Sequence, residues 1–132
     1  MSQRTNSFAY SLDHDVVAVL NDVKPAGFSN VTITLSCRPS GTIAVGSKIE
    51  LNVGIGASDM EGVGPQEFFY AAAQFDSTTD VTEWQDVVLP FTGFDEDVEQ
   101  FLQILVVRRF SAFGATNSSE ELHIRKTTVT VS

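Results

Sequence analysis

The sequence has few of the residues on which covalent cross-linking or phosphate binding depends. It contains one cysteine, Cys37, so the 132-residue chain cannot form a disulfide within itself. Lysine and arginine total 8 against 17 aspartates and glutamates, which gives a formal net charge of −9. Proteins that bind nucleic acids or anionic membranes need clustered basic residues. We therefore expect neither kind of partner.

Long apolar runs and targeting signals are also missing. No apolar stretch approaches the roughly 20 residues that a membrane-spanning helix needs. The first seven residues are polar and are not followed by the apolar stretch of a secretory signal. The sequence therefore predicts a protein made in a cytoplasm, with a flexible arm over residues 1–7 and a single domain over residues 8–132.

Catalytic motifs are absent as well. The sequence has no serine elbow, no phosphate-binding glycine loop and no zinc-ligand spacing, and its two histidines, His14 and His123, are far apart. Residues 94–97 supply three consecutive carboxylates, but neighbouring side chains point apart, and a calcium ion needs six or more converging oxygens. We expect no enzyme activity, no cofactor and no metal site.

Period-2 alternation is what the sequence does have. In residues 30–37 the side chains of Val31, Ile33, Leu35 and Cys37 fall on one strand face, and hydroxyl residues fall on the other. Residues 48–55 repeat the pattern. Roughly eight such segments, separated by turn residues, predict an all-β antiparallel sandwich, and an eight-stranded jelly roll fits best. On this pattern Cys37 is expected to be a buried, unreactive thiol.

Several segments carry more specific predictions. Residues 101–107 are apolar on both strand faces, which predicts a central strand that is covered on both sides. Residues 42–45 are predicted to form a brief strand. Near the end of the chain, the apolar positions change parity between Ile124 and Val129, and a β-bulge near Lys126 would reconcile them.

The charges are strongly segregated along the chain. No lysine or arginine lies between Lys48 and Arg108, whereas 12 of the 17 acidic residues do. Three interpretations remain open for this interval: a cation site, a surface for a basic partner, or a solvated rim that keeps the protein soluble.

The aromatic residues suggest two kinds of contact. Ten phenylalanines outnumber one tryptophan and two tyrosines, which favours packing and interfaces over sugar platforms. Phe110 and Phe113, together with the preceding Arg108 and Arg109, are candidate contacts with another protein chain. Trp84 and Tyr70 are the candidates for stacking on a sugar ring if the domain binds carbohydrate.

The C-terminal part of the chain resembles small jelly-roll proteins of tailed-phage virions. The residues that carry the resemblance are the tryptophan-led segment 84–89, an acidic loop, the long segment 101–109 that ends in two arginines, and the closing segment 121–125. The resemblance implies a non-enzymatic capsid decoration (cement) protein. Such a protein would bridge subunits of a major capsid protein, or contact another virion protein, and would assemble as a homo-oligomer, commonly a trimer.

The alternative is a carbohydrate-binding module, or the receptor-binding tip of a fibre.

Overall fold

We analysed a computed structural model, which describes residues 2–6, 10–12, 17–60, 66–109 and 116–132. All regular structure in these residues is β-strand. The strands are β1 (Ser2–Asn6), β2 (Tyr10–Leu12), β3 (Val17–Lys24), β4 (Val31–Pro39), β5 (Ser47–Asp59), β6 (Glu67–Phe75), β7 (Gln85–Phe91), β8 (Gln100–Arg109), β9 (Thr116–Asn117) and β10 (Leu122–Val131). The described part of the chain contains no helix that could cross a membrane.

The strands form two sheets. Sheet A has the order β1-β10-β4-β7, and β2 also pairs with β10; sheet B has the order β3-β8-β5-β6, and the two-residue β9 joins β5. If β1 and β2 are taken as two halves of a first strand and β9 is set aside, eight strands remain. The first pairs with the eighth, the second with the seventh, the third with the sixth and the fourth with the fifth, all antiparallel. This order confirms the predicted jelly-roll sandwich.

The core lies between the inner faces of the two sheets, as the alternation predicts. β4 and β5 alternate between buried and half-buried residues along most of their length, because one face of each strand packs inward. The change of parity in β10 is resolved by a register shift between Ile124 and Lys126, which confirms the predicted bulge. Arg125 and Lys126 are both exposed there, so the buried positions can resume at Thr127.

Cys37 lies in this core and is fully buried. Burial, with a smaller contribution from the nearby Asp86 carboxylate, raises the pKa of its thiol to about 12. Since the thiolate is the reactive form, we expect Cys37 to resist a thiol reagent at neutral pH in the native protein and to react once denaturant unfolds it. Rapid labelling of the native protein, measured by mass spectrometry, would contradict this placement.

Three expectations differ from the structure at the ends of strands. Residues 42–44 have no regular structure and residues 45 and 46 form a turn, so the strand predicted over 42–45 is wrong. The apolar residues of this segment do not alternate across a sheet: Ile43 is buried in the core, whereas Val45 is exposed. The strand that begins near Trp84 was expected to end before Pro90, but β7 continues through it to Phe91. Proline is tolerated there because β7 is an edge strand of sheet A.

Residues 2–6 of the predicted flexible arm form β1, which pairs with residues 127–131 of β10. The expectation of a flexible N-terminal arm is thus the third that differs from the structure. The polarity of this segment suggested that it would stay apart from the domain. An edge strand, however, can be held through its main chain alone, whatever its side chains.

β8 departs from its prediction in the way that matters most for function. It does lie centrally, between β3 and β5. Its inner residues Leu102, Ile104 and Val106 are buried, but Phe101 on its outer face is 47% exposed. The expected second covering layer is absent from the described residues, so the outer face of sheet B is an apolar surface open to solvent.

Candidate functional site

The outer face of sheet B is the candidate site, and it is named here the aromatic face. The strand registers place its residues in rows that cross the sheet. One row contains Val19, Leu105, Gly54 and Tyr70, and the next contains Asn21, Gln103, Gly56 and Phe68. A third contains Val23, Phe101 and Ser58. Rings, aliphatic side chains and amides therefore share one side of the sheet.

Two aromatic rings on this face are unusually open to solvent. Tyr70 is 78% exposed and Phe68 is 60% exposed. They are two residues apart in β6, so both side chains project from the same side, about 7 Å apart along the strand. Large apolar groups are normally buried, so exposed neighbours of this kind mark a contact surface.

Glycines on the adjacent strand allow these rings to lie close to the sheet. A Cβ atom on Gly54 would lie 3.4 Å from Cε1 of Tyr70, and one on Gly56 would lie 3.6 Å from Cε1 of Phe68. The same Cβ on Gly56 would lie 2.8 Å from Nε2 of Gln66. The rings and the amide thus occupy the space that larger residues in β5 would fill. This leaves much of the surface of each ring facing solvent.

A hollow of about 610 Å³ lies beside Tyr70 on this face. Ala72 is small, so the hollow opens between Tyr70 and the end of β8. Arg109 stands at its edge and forms no ion pair within the described residues. The hollow is lined by Asn52, Tyr70, Ala71, Ala72, Val107 and Arg109. It offers an aromatic wall, an amide and a guanidinium group to whatever enters.

A second hollow, of about 450 Å³, lies on the other side of Phe68. Its lining combines Phe101 with amide groups and small residues. The residues are Asn21, Gly56, Ser58, Gln66, Phe101, Leu102 and Gln103. The aromatic face thus carries two shallow openings with Tyr70 and Phe68 between them, and both contain amides that can donate and accept hydrogen bonds.

The two predicted stacking residues do not form one site. Tyr70 lies on the aromatic face, but Trp84 precedes β7, on the outer side of sheet A. There the guanidinium carbons of Arg38 and Arg125 lie 4.6 Å and 4.9 Å from the centre of the indole ring. These cation–π contacts already occupy Trp84. Only Tyr70 remains available for stacking.

The predicted protein-contact residues are also separated. Arg109 is exposed at the end of β8, as a contact residue should be. Arg108 is only 1% exposed, and its guanidinium donates to the carbonyl oxygens of Ser118 and Glu120, both at 2.6 Å. Arg108 is therefore corrected from a surface contact to a structural residue, because its side chain points inward. Phe110 and Phe113 lie outside the described residues.

Lys24 is a second buried cation that sequence reasoning missed. It is fully buried, and its Nζ donates to the carbonyl oxygens of Pro25, Phe28 and Val98 at 2.9–3.0 Å. Burial lowers the pKa of Lys24, and the carboxylates of Asp95 and Glu96 oppose that shift. Lys24 thus ties the β3–β4 loop to the acidic segment before β8.

The acidic interval between Lys48 and Arg108 forms no metal centre within the described residues. No three histidine, cysteine or carboxylate side chains come together there. In the loop between β6 and β7, Asp76 and Asp80 instead accept hydrogen bonds from Thr78 and Thr82, which lower the pKa of both carboxyl groups. These carboxylates organise a turn.

The aromatic face could have been found from the sequence by its outward positions. Phe68 and Tyr70 share one parity in β6, and residues 52, 54, 56 and 58 of β5 are all small or polar at the matching parity. A strand that keeps its outward residues small beside exposed rings leaves an open surface. The sequence did not single out Phe68, Phe101, Asn52 and Gln103, because sugar stacking is associated with tryptophan and tyrosine, and phenylalanine with packing.

Comparison with known proteins adds little. No family model matches the chain, and no curated protein matches it. A solved structure of TmCBM61 in complex with β-1,4-galactotriose is similar over 94% of this chain and 69% of its own length. The identity is 9% and the TM-score is 0.44. A likeness at this level says nothing about what the present chain binds.

Proposed function

We propose that this protein is a non-enzymatic carbohydrate-binding module that holds a neutral saccharide on the aromatic face. The observation that carries the proposal is the arrangement of Tyr70 and Phe68, two exposed rings laid over glycines beside amide-lined hollows. Sugar rings have apolar faces that stack on aromatic rings and hydroxyl edges that pair with amides. The aromatic face supplies both groups on one rigid sheet.

The charge on the face favours a neutral ligand. Among the described residues of β5, β6 and β8, the charged side chains on this face are Lys48, Glu50 and Arg109. Lys48 and Glu50 form an ion pair at 2.5 Å. A chain with a net charge of −9 also repels a polyanion. The aromatic face offers hydrogen bonds and ring stacking and carries little net charge, which suits an uncharged sugar.

A panel of neutral oligosaccharides tests this proposal. We expect wild-type protein to bind at least one member on a glycan array, and Tyr70→Ala to lower its affinity at least about tenfold, which is about 1.4 kcal/mol. Val88→Ala is the matched control, since Val88 is an exposed residue on the outer face of sheet A. No binding by the wild type, or equal losses in the two variants, would contradict the proposal.

A second proposal follows from the resemblance to virion proteins. The aromatic face also exposes Val19 and Val23, which a flat contact with a capsid or fibre subunit would cover. In this case the protein is a decoration or fibre component of a tailed-phage particle. Antibody labelling of purified particles tests it by electron microscopy, and particles without label would count against it. A fibre module that binds sugar would satisfy both proposals.

A further inference from the structure

We propose that the free edge of β6 pairs with β6 of a second copy of the chain, forming a dimer with one continuous sheet. β6 is the last strand of sheet B and pairs with β5 on one side only. Within the described residues, the main-chain groups on the other side of β6 form no hydrogen bond to another main-chain segment. An edge of nine residues in regular register is a template for another strand.

β6 lacks the features that usually protect an edge. Its sequence, EFFYAAAQF, contains no proline, lysine or arginine, and its pairing with β5 runs from Glu67 to Phe75 without a register shift. The other edges are protected. β7 contains Pro90, which has no N–H to donate, β3 ends in Asp22 and Lys24, and β1 is only five residues long. β6 is the exception.

The sequence of β6 is complementary to itself. Three consecutive aromatic residues, at positions 68–70, are followed by three alanines, at positions 71–73. Antiparallel pairing about Ala71 would set Tyr70 opposite Ala72 of the other copy, and Phe69 opposite Ala73. Tyr70 and Phe69 would therefore each meet an alanine, and Phe68 would lie opposite Gln74. Glu67 would lie opposite Phe75, so the two acidic ends would not face each other.

Pairing at this edge leaves the aromatic face intact. The Tyr70 ring lies over Gly54, on the side of β6 away from the free edge. The dimer would place two aromatic faces side by side on one surface. The inference does not depend on what that face binds, although two linked faces would bind a polymer more tightly through their high effective concentration.

Opposite charges at Ala72 provide the test. Ala72 is exposed, and in the proposed register the two copies of residue 72 are diagonal neighbours, about 7–8 Å apart. In sedimentation velocity runs we expect a wild-type dimer whose fraction rises with concentration. Ala72→Glu and Ala72→Lys should each be monomeric, because like charges meet. An equal mixture of the two variants should restore the dimer, because opposite charges then meet.

Val88→Glu is the matched control, with a charge added to the free-edge strand of sheet A, and it should leave the dimer unchanged. Circular dichroism checks that each variant is folded. A wild type that stays monomeric at its highest soluble concentration would overturn the inference, as would dissociation by Val88→Glu or failure of the mixture to reassociate. Mass is the readout here, so this test and the glycan array can fail separately.

Discussion

Replacing Lys24 by methionine is expected to destabilise the protein by about 3 kcal/mol or more. The reason is that the ammonium group is buried and satisfies three main-chain carbonyl oxygens, and methionine has no donor for any of them. These hydrogen bonds are partly buried, so each acceptor that loses its donor is expected to cost about 1 kcal/mol, the low end of the range for buried groups. Domains are stable by only about 5–15 kcal/mol, so the loss is a large fraction of the whole. Thermal unfolding should show a Tm lower by about 10 °C.

Lys48→Met is the matched control for this prediction. Lys48 is partly exposed and pairs with Glu50, and a surface ion pair contributes at most about 1 kcal/mol. If Lys24→Met and Lys48→Met have similar free energies of unfolding in urea, then the three-carbonyl site does not hold the β3–β4 loop. Comparing the free energy of unfolding of Arg108→Met with that of Lys48→Met would apply the same test to the other buried cation.

Replacing Gly54 by valine is expected to weaken saccharide binding about tenfold while leaving the protein folded. A Cβ atom at this position already lies 3.4–3.5 Å from the Tyr70 ring, so the two γ-methyl groups of valine must push the ring away from the sheet. The stacking surface is then no longer held in place. Valine itself suits a strand, so the free energy of unfolding should change by less than about 1 kcal/mol. A tenfold change in affinity corresponds to about 1.4 kcal/mol.

Thr34→Val is the control for the Gly54 variant. It places valine at an outward position of β4, in sheet A, away from the aromatic face. Binding by isothermal titration should be unchanged in this variant. If Gly54→Val binds as tightly as the wild type, the position of the Tyr70 ring over the glycine has no part in recognition. If it fails to fold, Tyr70→Ala still separates the loss of the ring from loss of structure.

The inner faces of the strands were predictable because burial imposes a strict period. β4 and β5 alternate residue by residue, and even the bulge in β10 followed from a change of parity between Ile124 and Val129. The pattern also gave the jelly roll, because eight alternating segments with short turns leave few other architectures. Local sequence is sufficient where one face of a strand must meet the core.

The outer faces and the buried cations were not predictable in the same way. β8 is apolar on both faces, and the sequence does not tell whether a second layer covers it or a ligand does. Lys24 and Arg108 donate hydrogen bonds to main-chain carbonyls of other segments. Every residue has such a carbonyl, so the sequence does not show which ones will accept. The sequence also did not show that Trp84 and Tyr70 lie apart, because this depends on β7 and β6 belonging to different sheets.

The ligand proposed for the aromatic face of sheet B is a neutral saccharide. An NMR titration of ¹⁵N-labelled protein, with the oligosaccharide that binds best on the array, tests it most directly. We predict saturable shifts of the backbone amides of Asn52, Tyr70 and Gln103, which belong to β5, β6 and β8. Shifts confined to residues around Trp84 on sheet A, or no saturable shift with any oligosaccharide of the panel, would contradict it.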